Sequence, residues 1–183
     1  MPFNRRKTPR AIAMGCVTLV LLHGTTLRKP AEAQGVPSDW VVYHRPGALV
    51  VPHPPGWQVR EGGDGAFVVV RRAAGPLPDA LVYVKPQRFG AARSAADALA
   101  RLPHDEAALF PGARLLRAFA LAPPNDGAIG AMTHTVQGQP YRASALVLKT
   151  GSVGALYVIS ATEGAWPAHA ETMARILHGF RYV

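Results

Sequence analysis

The sequence predicts an α+β domain: a mostly antiparallel sheet of about six to eight strands covered by two main helices. Three observations carry this. Short β-branched segments recur between Gly- and Pro-rich turns. Two stretches only, after Ser94 and after Trp166, switch to helical spacing of apolar residues. The connections are mostly turns and short loops, which favour antiparallel pairing.

Trp40-Val41-Val42-Tyr43 and Ala48-Leu49-Val50-Val51 are the first two strand candidates, and a third begins at Trp57. Between them lies Pro52-His53-Pro54-Pro55-Gly56-Trp57. Its prolines pre-set an extended chain and a turn, and Gly56 lets the backbone reverse. Trp57 is then placed to pack its ring in the core rather than to serve as a ligand platform. The glycines of residues 62–65 (GGDG) make a tight turn before the strand AFVVVR at 66–71. Gly75, Pro76 and Pro78 mark a loop, and residues 80–85 form the next strand.

Ser94 caps the first helix, with Asp97 three residues on as the acidic half of a capping box. Leu99 and Leu102 form its apolar stripe. Pro103 is expected to end or kink it, with His104-Asp105-Glu106 opening a second short helical segment and Leu109-Phe110 resuming the apolar face. Residues 114–121 alternate as a strand, 123–127 form a turn, and 128–136 and 141–149 form a hairpin around QGQP. Residues 154–161 are a further strand. The closing helix has Pro167 in its first turn, and Trp166, Met173, Ile176, Leu177 and Phe180 share one face.

The first 33 residues read as a signal peptide. Arg5, Arg6, Lys7 and Arg10 precede an uncharged apolar run at 11–27, and Ala31-Glu32-Ala33 predicts cleavage before Gln34. The domain is then residues 34–183, periplasmic or secreted; an uncleaved leader would instead anchor it to the inner membrane. The sole cysteine, Cys16, lies in the leader, so disulfides, thiolate nucleophiles and cysteine metal sites are excluded from the domain. The formal charge of +9 is also concentrated there. Six basic residues (Arg5, Arg6, Lys7, Arg10, Arg28, Lys29) and one acid (Glu32) precede Gln34, which leaves +4 for the domain. Its arginines are scattered, which argues against nucleic-acid binding.

Catalytic signatures are missing from the sequence. There is no HExxH, no G-x-S-x-G elbow around the serines and no phosphate loop, and Lys149-Thr150-Gly151 lacks the partner motifs of penicillin-binding proteins. No cofactor is implied. His44 and His53 flank one predicted hairpin and could face each other as Zn or Cu ligands, and His104 beside two acids is a further ligand or acid–base candidate. A basic, aromatic surface could form from Tyr43, His44, Arg45, Arg71 and Arg72, residue types common at binding hot spots.

The strand, P-x-x-x-G-W element, Gly-rich turn and second strand resemble the start of PsbP-like and DcrB-like exported proteins. The closing WPAHAETMARILHGFRYV is similar to that group's last helix, with its Ile-Leu and following Phe. The helix opening at Ser94 falls where the group has its first. The resemblance spans most of residues 40–183. It implies an α/β/α sandwich shared with the Ran-binding Mog protein and a non-catalytic accessory or binding role, with no catalytic residues to carry over. The expected function is an envelope module engaging a protein partner or a small ligand through a groove between sheet and helix. The alternatives are a metal-binding protein, or a hydrolase with a site assembled from His44, His53 and His104.

Overall fold

Turn chemistry and apolar alternation together set the strand boundaries. The structure, a computed structural model of the full chain, describes residues 36–45, 49–72, 75–90, 92–122 and 126–180. Among these, nine strands and two α-helices follow in order, with a short 3-10 turn at Gly63–Gly65: β1 (Val41–Arg45), β2 (Leu49–His53), β3 (Trp57–Glu61), β4 (Phe67–Arg71), β5 (Ala80–Arg88), α1 (Ala95–Asp105), β6 (Arg114–Ala120), β7 (Asp126–Val136), β8 (Gln139–Thr150), β9 (Val153–Thr162) and α2 (Trp166–Gly179). Seven of the strands form one antiparallel sheet in the order β3-β4-β5-β9-β8-β7-β6, and β1 and β2 form a separate antiparallel hairpin. The fold is α+β, as the sequence predicts. The leader at 1–33, its cleavage site, Ala48 and residues 123–125 of the predicted turn lie outside the described residues.

Side chains alternate across the sheet, and both faces are apolar. Tyr157, Ile159 and Ala161 of β9 join one core with Trp57, Phe67, Val69 and Val82. Trp166, Met173, Ile176, Leu177 and Phe180 of α2 and its end complete that core, together with Leu49 and Val51 of the hairpin. Leu156 and Val158, one position out of phase on the same strand, join the other core with Ala95, Leu99 and Leu102 of α1. The two helices therefore cover opposite faces, an α/β/α sandwich. Burial of each large aliphatic side chain on the α2 stripe contributes about 1.5–3 kcal/mol.

The capping box at α1 forms one of its arms. Ser94 Oγ accepts from the Asp97 N–H at 3.1 Å. Asp97 returns its carboxylate to the N–H of Arg93 at 2.9 Å, one residue earlier than the expected partner. Pro103 departs further from expectation. The helix runs through it to Asp105, and the Glu106 N–H closes the end on the carbonyls of Leu102 and His104. Proline takes away the N–H that the Leu99 carbonyl would accept, and the helix ends two residues on, at Asp105. His104-Asp105-Glu106 are thus the last turn of α1 and not the opening of a second helix. Acids at a helix C-terminus meet its negative end, and Glu106 is offset instead by Lys85, 2.8 Å away. Only Phe110 resumes the buried face after it; Leu109 is exposed.

Two glycines show how the opening hairpin is held. Gly56 has φ +82°, and the Trp57 N–H reaches back to the Pro54 carbonyl at 3.2 Å. That is the type II pattern, with Pro55 and Gly56 at the central positions. At the other end of the hairpin's support, Gly179 closes α2 against Pro52 of β2. A Cβ on Gly179 would stand 2.2 Å from the Pro52 Cγ. The QGQP hairpin tightens to a two-residue turn, Gln137-Gly138, both with positive φ, so Gln139 and Pro140 belong to β8.

Gly179→Ala is expected to lower stability by about 1–3 kcal/mol through this clash, read as a shift of the urea midpoint. Adding Pro52→Ala is expected to recover part of the loss, and additive losses in the double variant would show that the two residues do not meet.

Candidate functional site

β5 is longer than its neighbour. β4 pairs only with residues 80–84, whereas β9 pairs with all of 80–88. The last four residues of β5 therefore lack a strand on one side, and a recess of about 250 Å³ opens there between the sheet and α1. Phe89, Leu102 and Val147 give it an apolar lining, and Lys85, Arg88, Arg101, Asp105 and Glu106 are its charged groups. Lys85 Nζ lies 2.8 Å from Glu106 Oε1, and Arg101 Nε lies 3.1 Å from Asp97 Oδ1. Arg88 is exposed and has no ion-pair partner among the described residues. A wider, open depression of about 570 Å³ adjoins the same segment and reaches Val153 and Gly154. Burial, and secondarily the Glu106 charge, push the Tyr83 phenol up to about 12. The groove can hold a small apolar body with an anionic end toward Arg88.

The histidines singled out in the sequence are dispersed. His44 pairs with Val50 and His53 with Val41, three rungs apart, so they point to opposite sides of the hairpin and do not face each other. His53 is buried, with Nδ1 3.1 Å from the Pro54 carbonyl, and His44 is exposed. His104 stands in solvent at the end of α1, 3.1 Å from Asp105, on the face opposite the hairpin. Among the described residues, no three His, Asp or Glu side chains converge as a metal site.

The basic, aromatic surface is also divided. Tyr43 donates to Glu61, Arg45 bridges to Glu61 at 3.2 Å, and Arg45 lies 5.8 Å from the Phe67 ring centre. Arg71 stands at the other end of β4, opposite Trp57, and pairs with Asp79. Arg72 is exposed just beyond the strand, and His44 alternates away from Tyr43 and Arg45.

Two polar clusters were not anticipated. Arg71 and Asp79 meet His169 of α2, whose Nε2 is 3.9 Å from Asp79 Oδ2 and whose ring packs edge-on to Trp57 at 6.0 Å. Burial, then the Arg71 charge, lower the His169 pKa, and Asp79 opposes them. The second cluster lies on the α1 face. His134 Nε2 is 2.8 Å from Ser160 Oγ, and its ring stacks on Tyr141 and meets Phe110 edge-on. It resembles a nucleophile and its base, and Ser160 Oγ also lies 3.2 Å from the Arg142 carbonyl. Among the described residues His134 Nδ1 has no hydrogen-bond partner to orient the ring. Both residues are buried and closed to substrate. Neither cluster has a local sequence signal, since each joins strands or helices distant in the chain.

No family model and no curated protein matches the chain. Solved structures do. The cyanobacterial PsbP (CyanoP) of Synechocystis sp. PCC 6803 aligns over 83% of this chain and 98% of its own, with 14% identity and a TM-score of 0.54. The Saccharomyces cerevisiae Ran-binding protein Mog1p aligns over 78% of this chain and 94% of its own, at 13% identity and TM-score 0.52. The fold is that of PsbP and Mog1p. LpqN of Mycobacterium tuberculosis, described as involved in cell envelope biogenesis, shares it at 14% identity and TM-score 0.50, over 79% of this chain and 90% of its own. At these identities the likeness concerns the PsbP/Mog1p-like fold, which hosts more than one function.

Burial lowers the His134 pKa to about 4, against about 6.5 in the unfolded chain. Above pH 6.5 both states are neutral there. Between pH 6.5 and 4 the unfolded state binds a proton that the native state refuses, so stability falls with falling pH. The expected loss is about 3 kcal/mol across that window, and none of it above. Urea midpoints measured against pH should show this slope for the native chain and a shallower one for His134→Gln, which keeps a donor toward Ser160. Equal slopes would remove His134 as the cause.

Proposed function

We propose that the chain is an exported, non-catalytic accessory module of the bacterial envelope that binds through the groove between β5 and α1. The leader at 1–33 would be removed after Ala33, releasing the domain at 34–183 to the periplasm or beyond. Among the described residues no helix is long and apolar enough to cross a membrane, so any attachment would come through the leader. The observation that carries the binding role is the overhang of β5. There Arg88, which has no ion-pair partner among the described residues, stands beside an apolar lining and next to the Lys85–Glu106 pair. An acidic group on a protein partner or small ligand fits that arrangement. The likeness to PsbP, Ran-binding Mog1p and LpqN supports an accessory role, and the burial of Ser160 and His134 favours binding over hydrolysis by that pair.

The test is photocrosslinking in intact cells with the reactive residue placed at Arg88 or, as the control on the opposite face, at Glu171. One reproducible adduct from position 88, absent from position 171, is expected, and the shortest N-terminal peptide should begin at Gln34. Identical patterns from both positions would remove the groove as the binding site. A retained leader would contradict release.

A further inference from the structure

The two edges of the sheet are not alike. At one, β3 is tied to the hairpin, because Tyr43 and Arg45 both hold Glu61. At the other, among the described residues, β6 pairs with β7 alone. A strand with one open side presents a row of unsatisfied amide and carbonyl groups. β6 also carries two large exposed apolar side chains, Leu116 at 56% and Phe119 at 49%.

A bulge arranges the rest. Arg114 pairs with Thr133, but the register shifts between Leu115 and Arg117, so Arg117 pairs with Ala131 and Phe119 with Ile129. Thr133, Ala131 and Ile129 alternate onto one face of β7. Arg114 and Arg117, three apart in sequence, would otherwise point to opposite faces. The extra residue brings them to the same one, in line with Phe119. Neither arginine has an ion-pair partner among the described residues. Residues 117–120 beyond the bulge pair in regular register.

We propose that β6 is a docking strand for an extended, acidic segment of a partner protein, which adds antiparallel or parallel to the sheet's open edge. Charge selects this occupant. β6 itself (RLLRAFA) has no acid, so a second copy pairing edge to edge would set arginines near arginines with nothing to neutralise them. A segment alternating acidic and apolar residues would supply carboxylates to Arg114 and Arg117 and an apolar neighbour to Phe119, while its backbone completes the open row. An anionic lipid surface would answer the charges but not the backbone row. The proposal does not depend on the β5–α1 groove.

The test uses the purified full chain and a fluorescent, end-blocked peptide of about eight residues alternating Glu and Val, with three comparison probes. These are the same peptide N-methylated at alternate amides, a version with Lys for Glu, and phosphatidylglycerol vesicles. Saturable binding of the Glu peptide, lost on N-methylation, is expected. Arg114→Glu/Arg117→Glu should weaken the Glu peptide at least tenfold and favour the Lys peptide, with an unchanged circular dichroism spectrum. If that variant fails to fold, the comparison between plain and N-methylated peptides on the native chain decides alone. No saturable peptide binding, equal binding after N-methylation, or binding to vesicles without binding to peptide would each overturn the proposal.

Discussion

The structure depends on the double burial of its central strands. In β9, Tyr157, Ile159 and Ala161 enter one core while Leu156 and Val158 enter the other. β8 does the same with Leu146 on one side and Ala143, Ala145 and Val147 on the other. A strand that is apolar on both faces cannot leave either one in water without losing about 25 cal/mol for each Å² exposed. Each face therefore needs its own cover. α1 supplies one. α2 supplies the other, and the β1–β2 hairpin extends it through Leu49 and Val51.

That division explains features which look unrelated in sequence. The prolines and Gly56 before Trp57 turn the chain from the covering hairpin into the sheet, and Pro52 seats against Gly179 at the end of α2. On the other face, α1 ends over Lys85, which takes up Glu106 where the helix dipole would repel it. The groove lies where β5 continues past β4 beneath the end of α1. It is a by-product of unequal strand lengths, which is one way a common scaffold acquires an individual site.

The fold class, the antiparallel pairing and the α2 stripe were legible because they rest on local periodicity. So was the Ser94 cap, although the return arm from Asp97 went to Arg93. α1 ends two residues after Pro103, and His104-Asp105-Glu106 close it where a new segment was expected to open. The His44–His53 pairing failed on parity. Proximity in a hairpin does not place two residues on one side, and the observed register sets them three rungs apart. The basic surface is divided by strand length: three residues of β4 lie between Phe67, which Arg45 contacts, and Arg71. His134–Ser160 and Arg71–Asp79–His169 join segments that meet only once the sheet is ordered, and no local pattern announces them. The open β6 edge was likewise hidden, since alternation marks a strand but not its place in the sheet.

A sheet closed in the middle and open at β6 should not be uniformly protected. Native-state hydrogen exchange on the full chain tests this most directly. Amides of β8 and β9 are expected to exchange only through global unfolding, while roughly half of those in β6 exchange at low free energy because they face outward. Protection in β6 equal to that in β9 would contradict the account, because it would mean that the edge is already covered.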